Sequence, residues 1–175
     1  MKQFPVHKGF NANNKASNQI ASLIVLALLM WVSAHSWAKD SEATRQVQKI
    51  LDKRKLHYKI DSSGDFQITF KTDEKRTQLV FIRALPFSLG SIQMREVLSA
   101  AYRSDSTHFS AQVANKILET NATLRLGAFA KQGSLAVLVV KIPANASANE
   151  LIDALEATAT AADALEKNLS DKDIY

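Results

Sequence analysis

The chain of 175 residues contains no cysteine, three prolines and five glycines. Without cysteine it has no disulfide to form in an oxidising compartment, no thiolate nucleophile, and no N-terminal cysteine for lipid attachment. Histidine is almost as scarce. Of the four, His57 and His108 alone lie beyond residue 38, and neither sits in a recognisable metal-ligand spacing. No glycine-rich phosphate loop is present, and no serine lies in the sequence context of a nucleophile elbow. Lysine and arginine form no run interleaved with aromatic residues, which excludes a nucleic-acid surface of the usual kind. Long apolar runs are missing as well. The most apolar stretch, Ile20 to Val32, has thirteen residues; as a helix it rises only ~20 Å, against a hydrocarbon core of ~30 Å.

That stretch has the form of an export signal. Lys2, Lys8 and Lys15 precede it, and "SAHSWA" follows with Ser36 and Ala38 at the two places where signal peptidase accepts small side chains. Cleavage is expected after Ala38; a cut after Ala34 also meets the small-residue pattern but lies cramped against the apolar core. The expected organisation is a signal peptide at 1–38 and one domain at 39–175. Export implies a periplasmic or secreted location and no stable membrane span after cleavage. The formal charge of +5 falls on cleavage, because three of the 22 basic residues and none of the 17 acidic ones precede residue 39. The 19 basic and 17 acidic residues that remain give +2. A chain of this length supports one hydrophobic core without disulfides.

Beyond the signal, residues 39–55 (KDSEATRQVQKILDKRK) predict a short amphipathic helix, with Asp40 or Ser41 as N-cap and Val47, Ile50 and Leu51 on one face. Its terminal Lys and Arg cluster complements the helix dipole. From Leu56 the period becomes two. Leu56, Tyr58 and Ile60, then the turn DSSGD, then Phe66, Ile68 and Phe70 read as a hairpin with a polar face that meets water. QLVFIRA is a third strand, apolar on both faces and therefore more central. Residues 84–108 fit neither period, with Pro86 and Gly90 interrupting, and 92–102 lean towards helix. Phe109, Val113 and Ile117 then recur at helical spacing, with Ser106 or Thr107 as cap and Asn121 where a left-handed terminating residue would sit. Leu124 to Ala130 and Leu135 to Ile142 predict a second hairpin around Gly133, and Gly127 inside its first strand implies a bulge or close packing. SANE at 147–150 is a capping box opening a final helix to about Asn168, with a stripe of Leu151, Leu155, Ala162, Leu165 and Leu169. The expected fold is α+β, a single domain with an antiparallel sheet packed with helices in the order α-β-β-β-α-β-β-α.

The hairpin LHYKIDSSGDFQITF, the strand TQLVFI, the stretch ILETNATLRLGAFA and the C-terminal AADALEKNL, taken in order and spacing over nearly all of residues 39–175, resemble the YbjN family. The resemblance implies the fold of type III secretion chaperones and a non-catalytic module, loosely associated with regulation. The related secretion chaperones dimerise and bind unfolded partners in the cytosol, a location that the export signal here does not share.

Four residues stand out in the candidate motifs. Asn121 and Gly127 are expected to be backbone devices. Asp163 and Glu166 lie one helical turn apart and could pair carboxylates for acid–base work or a hard cation, but Lys167 at i+4 from Asp163 accounts for that carboxylate as a surface ion pair. His57 falls on a polar strand face and is expected to be solvated. Asn121-Ala-Thr123 and Asn145-Ala-Ser147 match glycosylation acceptors, accidental in the bacterial setting that the resemblance implies. No catalytic residue, metal or cofactor is expected. Two function classes remain: an exported protein-interaction module, homodimeric in one version, offering a sheet face or edge to a polypeptide; or a small-ligand or lipid-binding domain with a cavity between sheet and helix. A cavity lined by Phe66, Phe70, Phe81 or Phe129 favours the second, a filled core with an exposed apolar patch the first.

Overall fold

The computed structural model describes residues 42–73, 75–170 and 173–175, all within one compact unit, Ala38–Tyr175. The signal segment, its cleavage site and the Asp40 and Ser41 caps lie outside the described residues. Helix α1, Glu42–Lys53, buries Thr44, Val47 and Leu51, at three- and four-residue steps on one face. It closes at Lys55, whose φ of 57° is left-handed, and the Leu56 N–H donates back to Leu51 O at 3.0 Å.

Seven antiparallel strands follow: β1 Lys59–Ile60, β2 Phe66–Lys71, β3 Thr77–Ile82, β4 Phe87–Leu89, β5 Ile92–Arg103, β6 Ala128–Gln132 and β7 Leu135–Pro143. Their spatial order is β1-β2-β3-β5-β7-β6, with β4 folded back on β5. Helix α2, Ala111–Thr123, lies between β5 and β6 in sequence, and helix α3, Ala148–Leu169, closes the fold. The α+β class and the single antiparallel sheet agree with the sequence reading, but the element order gains two strands.

Both extra strands come from residues 84–108. The segment leaning towards helix, 92–102, is the long strand β5, paired with β7 along nearly its whole length. Pro86 and Gly90 do not interrupt the sheet; they shape a hairpin in which Phe87 faces Met94 and Leu89 faces Ile92. Two anchors bend β3 into β4. Asp65 accepts from the Ala84 N–H at 2.8 Å and from Arg83 Nη1 at 2.7 Å, and Arg95 donates to Arg83 O and Ala84 O at 2.5 and 2.7 Å.

Helix α2 is capped by Ser110, whose Oγ accepts from the Val113 N–H at 3.2 Å, and not by Ser106 or Thr107. Ser106 is engaged elsewhere: with Ser104 it donates to His108 O, at 2.9 and 2.8 Å. The second hairpin starts later than expected, at Ala128, and turns through Gly133 (φ 61°) and Ser134. The capping box of α3 forms as read: Ser147 Oγ accepts from the Glu150 N–H at 3.3 Å, and the Ser147 N–H donates to Glu150 at 2.7 Å. Its stripe is interior, with Leu151, Leu155, Ala162 and Leu165 all at 2 % exposure or less, packed chiefly on β5, with β3 and β7 beside it.

The core lies on one side of the sheet. Phe66, Ile68, Val80, Ile82, Val97, Leu138, Val140 and Phe129 form a single cluster with Val47 and Leu51 of α1, Ile117 of α2 and the α3 stripe.

Candidate interaction surface

Strand periodicity dictates that residues alternating with this core point to the opposite face. The register sets Gln67 against Phe81, Phe81 against Leu98, Leu98 against Val139 and Val139 against Ala128. Ala100, Val137 and Ala130 form a second row, and Met94, Phe87, Leu89 and Ile92 extend the same face onto the β4–β5 hairpin. Among the described residues, no helix packs on this face. It is apolar along its middle and polar at the β2 margin, where Gln67, Thr69 and Lys71 point outwards. The pair Glu96–Lys141, 3.9 Å apart, crosses it once, with the Lys141 ammonium 5.4 Å from the Phe87 ring centroid.

Exposure rises towards the hairpin. Leu98 and Val137 are shielded by their neighbours, Leu79, Phe81, Ala100 and Val139 are half-buried, and Phe87, Leu89 and Ile92 are 38, 70 and 55 % exposed. Leu85 beside them is 52 % exposed. A shallow groove of about 420 Å³ lined by His57, Tyr58, Lys59, Gln67, Thr69 and Leu79 continues the surface to the β1 edge. His57 is exposed there, as expected of a solvated side chain.

Two other clefts open at the surface among the described residues: one of about 250 Å³ between β2 and α3, lined by Phe70, Lys71, Thr72, Glu156, Ala159 and Thr160, and one of about 550 Å³ between α2 and the end of α3, lined by Val113, Lys116, Glu119 and Leu169. Phe66 and Phe129 belong to the filled core, Phe70 packs against it, and Phe81 lies on the other face. The void between α1 and Arg95, lined by Val47, Ile50, Ile142 and Leu151, measures about 10 Å³, room for about one water. Small-ligand pockets run to ~300–1,000 Å³.

Asn121 and Gly127 act on the backbone, though by means other than those expected. Asn121 is helical, within α2; its Oδ1 accepts from the Phe129 N–H at 2.7 Å and its Nδ2 donates to Phe129 O at 3.1 Å. It brackets one residue of β6 as a neighbouring strand would. Gly127 precedes β6 instead of lying inside it, with φ at 75°. A Cβ there would meet Val139 O and Val140 Cγ2 at 2.6 Å.

Asp163 does not form the expected surface pair with Lys167, which lies instead 3.9 Å from Asp73. Asp163 and Glu166 both reach Arg76, from the β2–β3 turn: Nε donates to Asp163 at 2.6 Å and Nη2 to Glu166 at 3.0 Å. Burial raises the pKa of Glu166, against the lowering influence of its bond from the Ile174 N–H and of Arg76. The hydrogen bond to Asp163 raises that of Arg76. Asp173 brings a third carboxylate to this group. The Arg76 guanidinium supplies a cation from the chain itself to this group, bonded to Asp163 and Glu166.

Arg95 escaped the sequence reading because the segment holding it did not read as strand. It is 2 % exposed and also donates to Ala43 O at 3.1 Å. Burial lowers its pKa from the ordinary arginine value. Its three carbonyl acceptors join α1 to the β3–β4 bend, a bracing role.

A scan against models of known families, a search of curated proteins and a search of solved structures each give no match. No helix among the described residues is long and apolar enough to cross a membrane.

Proposed function

We propose that the chain is an exported, non-catalytic protein-interaction module that binds a polypeptide on the open face of its sheet. The observation that carries this reading is the one-sided packing: the helices fill one face, and the other presents half-buried Leu79, Phe81 and Val139 around the buried Leu98 and Val137, with the exposed Phe87, Leu89 and Ile92 on a protruding hairpin. The filled core favours a polypeptide over a small ligand held inside. The resemblance to the YbjN family supports the non-catalytic reading, and the basic, apolar and small-residue order of residues 1–38 supports a periplasmic or secreted site of action.

The test is site-specific photo-crosslinking in the producing cells. A benzophenone side chain at Phe81 or Leu89 should give discrete adducts, whereas one at Glu156, exposed on α3, should not. Val139→Asp should abolish the Phe81 adduct while leaving the fold intact by circular dichroism. An adduct of twice the chain's mass identifies the partner as a second copy. Equal adducts from Glu156, or none from the sheet face, exclude it as the binding surface.

A further inference from the structure

Strand β3 pairs with β2 along Thr77–Ile82 but meets β5 only at Phe81 and Ile82. Below that point the two strands part. Side chains span the gap: Ser99 Oγ donates to Leu79 O at 2.8 Å, and Gln78 Nε2 donates to Ser99 Oγ and to Ala100 O at 2.8 and 2.7 Å. The outward N–H groups of β3 are taken by residues 173–175 of the same chain. Leu79 N–H donates to Tyr175 O at 3.0 Å, and Thr77 N–H to the Asp173 carboxylate at 3.3–3.4 Å. The Ile174 N–H donates to Glu166 at 2.8 Å, and the Asp173 carboxylate lies 3.8 Å from Arg76.

We infer that the split between β3 and β5 is a strand-addition site for an extended acidic polypeptide segment, and that Asp173–Tyr175 is its occupant in cis. The inference rests on the polypeptide-binding reading above and adds a second contact for the same class of partner. The backbone donors of Thr77 and Leu79 lie two residues apart, as strand addition requires; in place, Leu79 meets a main-chain carbonyl and Thr77 a side-chain carboxylate. Arg76, bonded to Asp163 and Glu166, also lies 3.8 Å from the Asp173 carboxylate that accepts from the Thr77 N–H. The occupant in place fits imperfectly: Gln78 Oε1 and the Tyr175 hydroxyl are buried with no hydrogen-bond partner among the described residues, and Ile174 is 60 % exposed. A segment that supplied a donor to Gln78 while keeping the bonds from the Thr77 and Leu79 N–H groups would displace it.

The test uses the full chain and a fluorescein-labelled hexapeptide copying residues 170–175, Ser-Asp-Lys-Asp-Ile-Tyr. Asp173→Ala with Ile174→Pro removes the carboxylate and the N–H that hold the strap. This variant should bind the peptide at least roughly tenfold more tightly than the unaltered chain, in which the tethered copy competes at an effective concentration of order millimolar. Adding Arg76→Gln should reverse the gain. Native-state amide exchange on the unaltered chain provides a readout that needs no variant to fold. Leu79 should exchange at least roughly tenfold faster than Leu138 in the core, and should slow on addition of unlabelled peptide. Absence of peptide binding by the folded variant, or Leu79 exchange at the rate of Leu138, overturns the inference. Either failure leaves the Phe81 crosslink unaffected, so the two readings fail separately.

Discussion

At Gly127 two demands coincide, a left-handed φ and a contact too close for any Cβ. Gly127→Ala should therefore destabilise by about 1–3 kcal/mol through strain and overpacking. An unchanged denaturation midpoint would refute this. Asn121 is more exacting than a helix terminator, since both ends of its amide are used on Phe129. Asn121→Ala leaves a half-buried N–H and C=O without those partners and should cost about 1–3 kcal/mol, whereas a simple terminator would cost a few tenths. Glu166 makes a prediction in pH. Its pKa is raised in the folded state, so its stabilising contribution is full below the unfolded value and is lost as pH rises through the folded value. The stability of Glu166→Gln relative to the unaltered chain should thus increase between about pH 4 and about pH 8. Chemical denaturation at both ends of that range checks it, and a gap that stays constant or shrinks would show that Arg76 outweighs burial.

Helix α3 carries its design on its surface: Ser147 and Glu150 at capping-box spacing, then leucines in a stripe, and the structure follows both. Leu155→Ala should cost about 2–5 kcal/mol, and Ser147→Ala about 1 kcal/mol, each read from urea denaturation. Full stability in Leu155→Ala would remove this helix from the core. Strand β5 was not legible in the same way, for a physical reason. Its inward side is Arg95, Val97, Ser99 and Ala101, and its outward side Ile92, Met94, Glu96, Leu98 and Ala100. Both mix polar and apolar residues, so no alternation emerges. Arg95 belongs inside only because the bend at residues 83–84 offers carbonyls from a distant part of the chain. The hairpin tip at Gly90 likewise reads as an interruption in the sequence, since Pro86 precedes it and β4 is three residues long. Asp163 and Glu166 were visible as a pair, but their partner, Arg76, is 87 residues from Asp163, and no local spacing could show it.

On the scale of the molecule, two layers leave a sheet with one face packed and the other bare among the described residues. An ordinary antiparallel sheet solves this with polar residues on the wet side. Here β2 does so, while β3, β7 and the β4–β5 hairpin place half-buried Leu79, Phe81 and Val139 and exposed Phe87, Leu89 and Ile92 there instead. Such a face is costly to leave in water, and the proposed partner would cover it. Hydroxyl-radical footprinting, comparing the chain in its native compartment with the purified monomer, measures that cover directly. Phe81, Phe87 and Met94 should be oxidised several-fold less in the native compartment than in the monomer, while His108, exposed away from this face, should label equally in both. Equal labelling of Phe81, Phe87 and Met94 in the two states would contradict the account, because the open face would then have no partner where the protein acts.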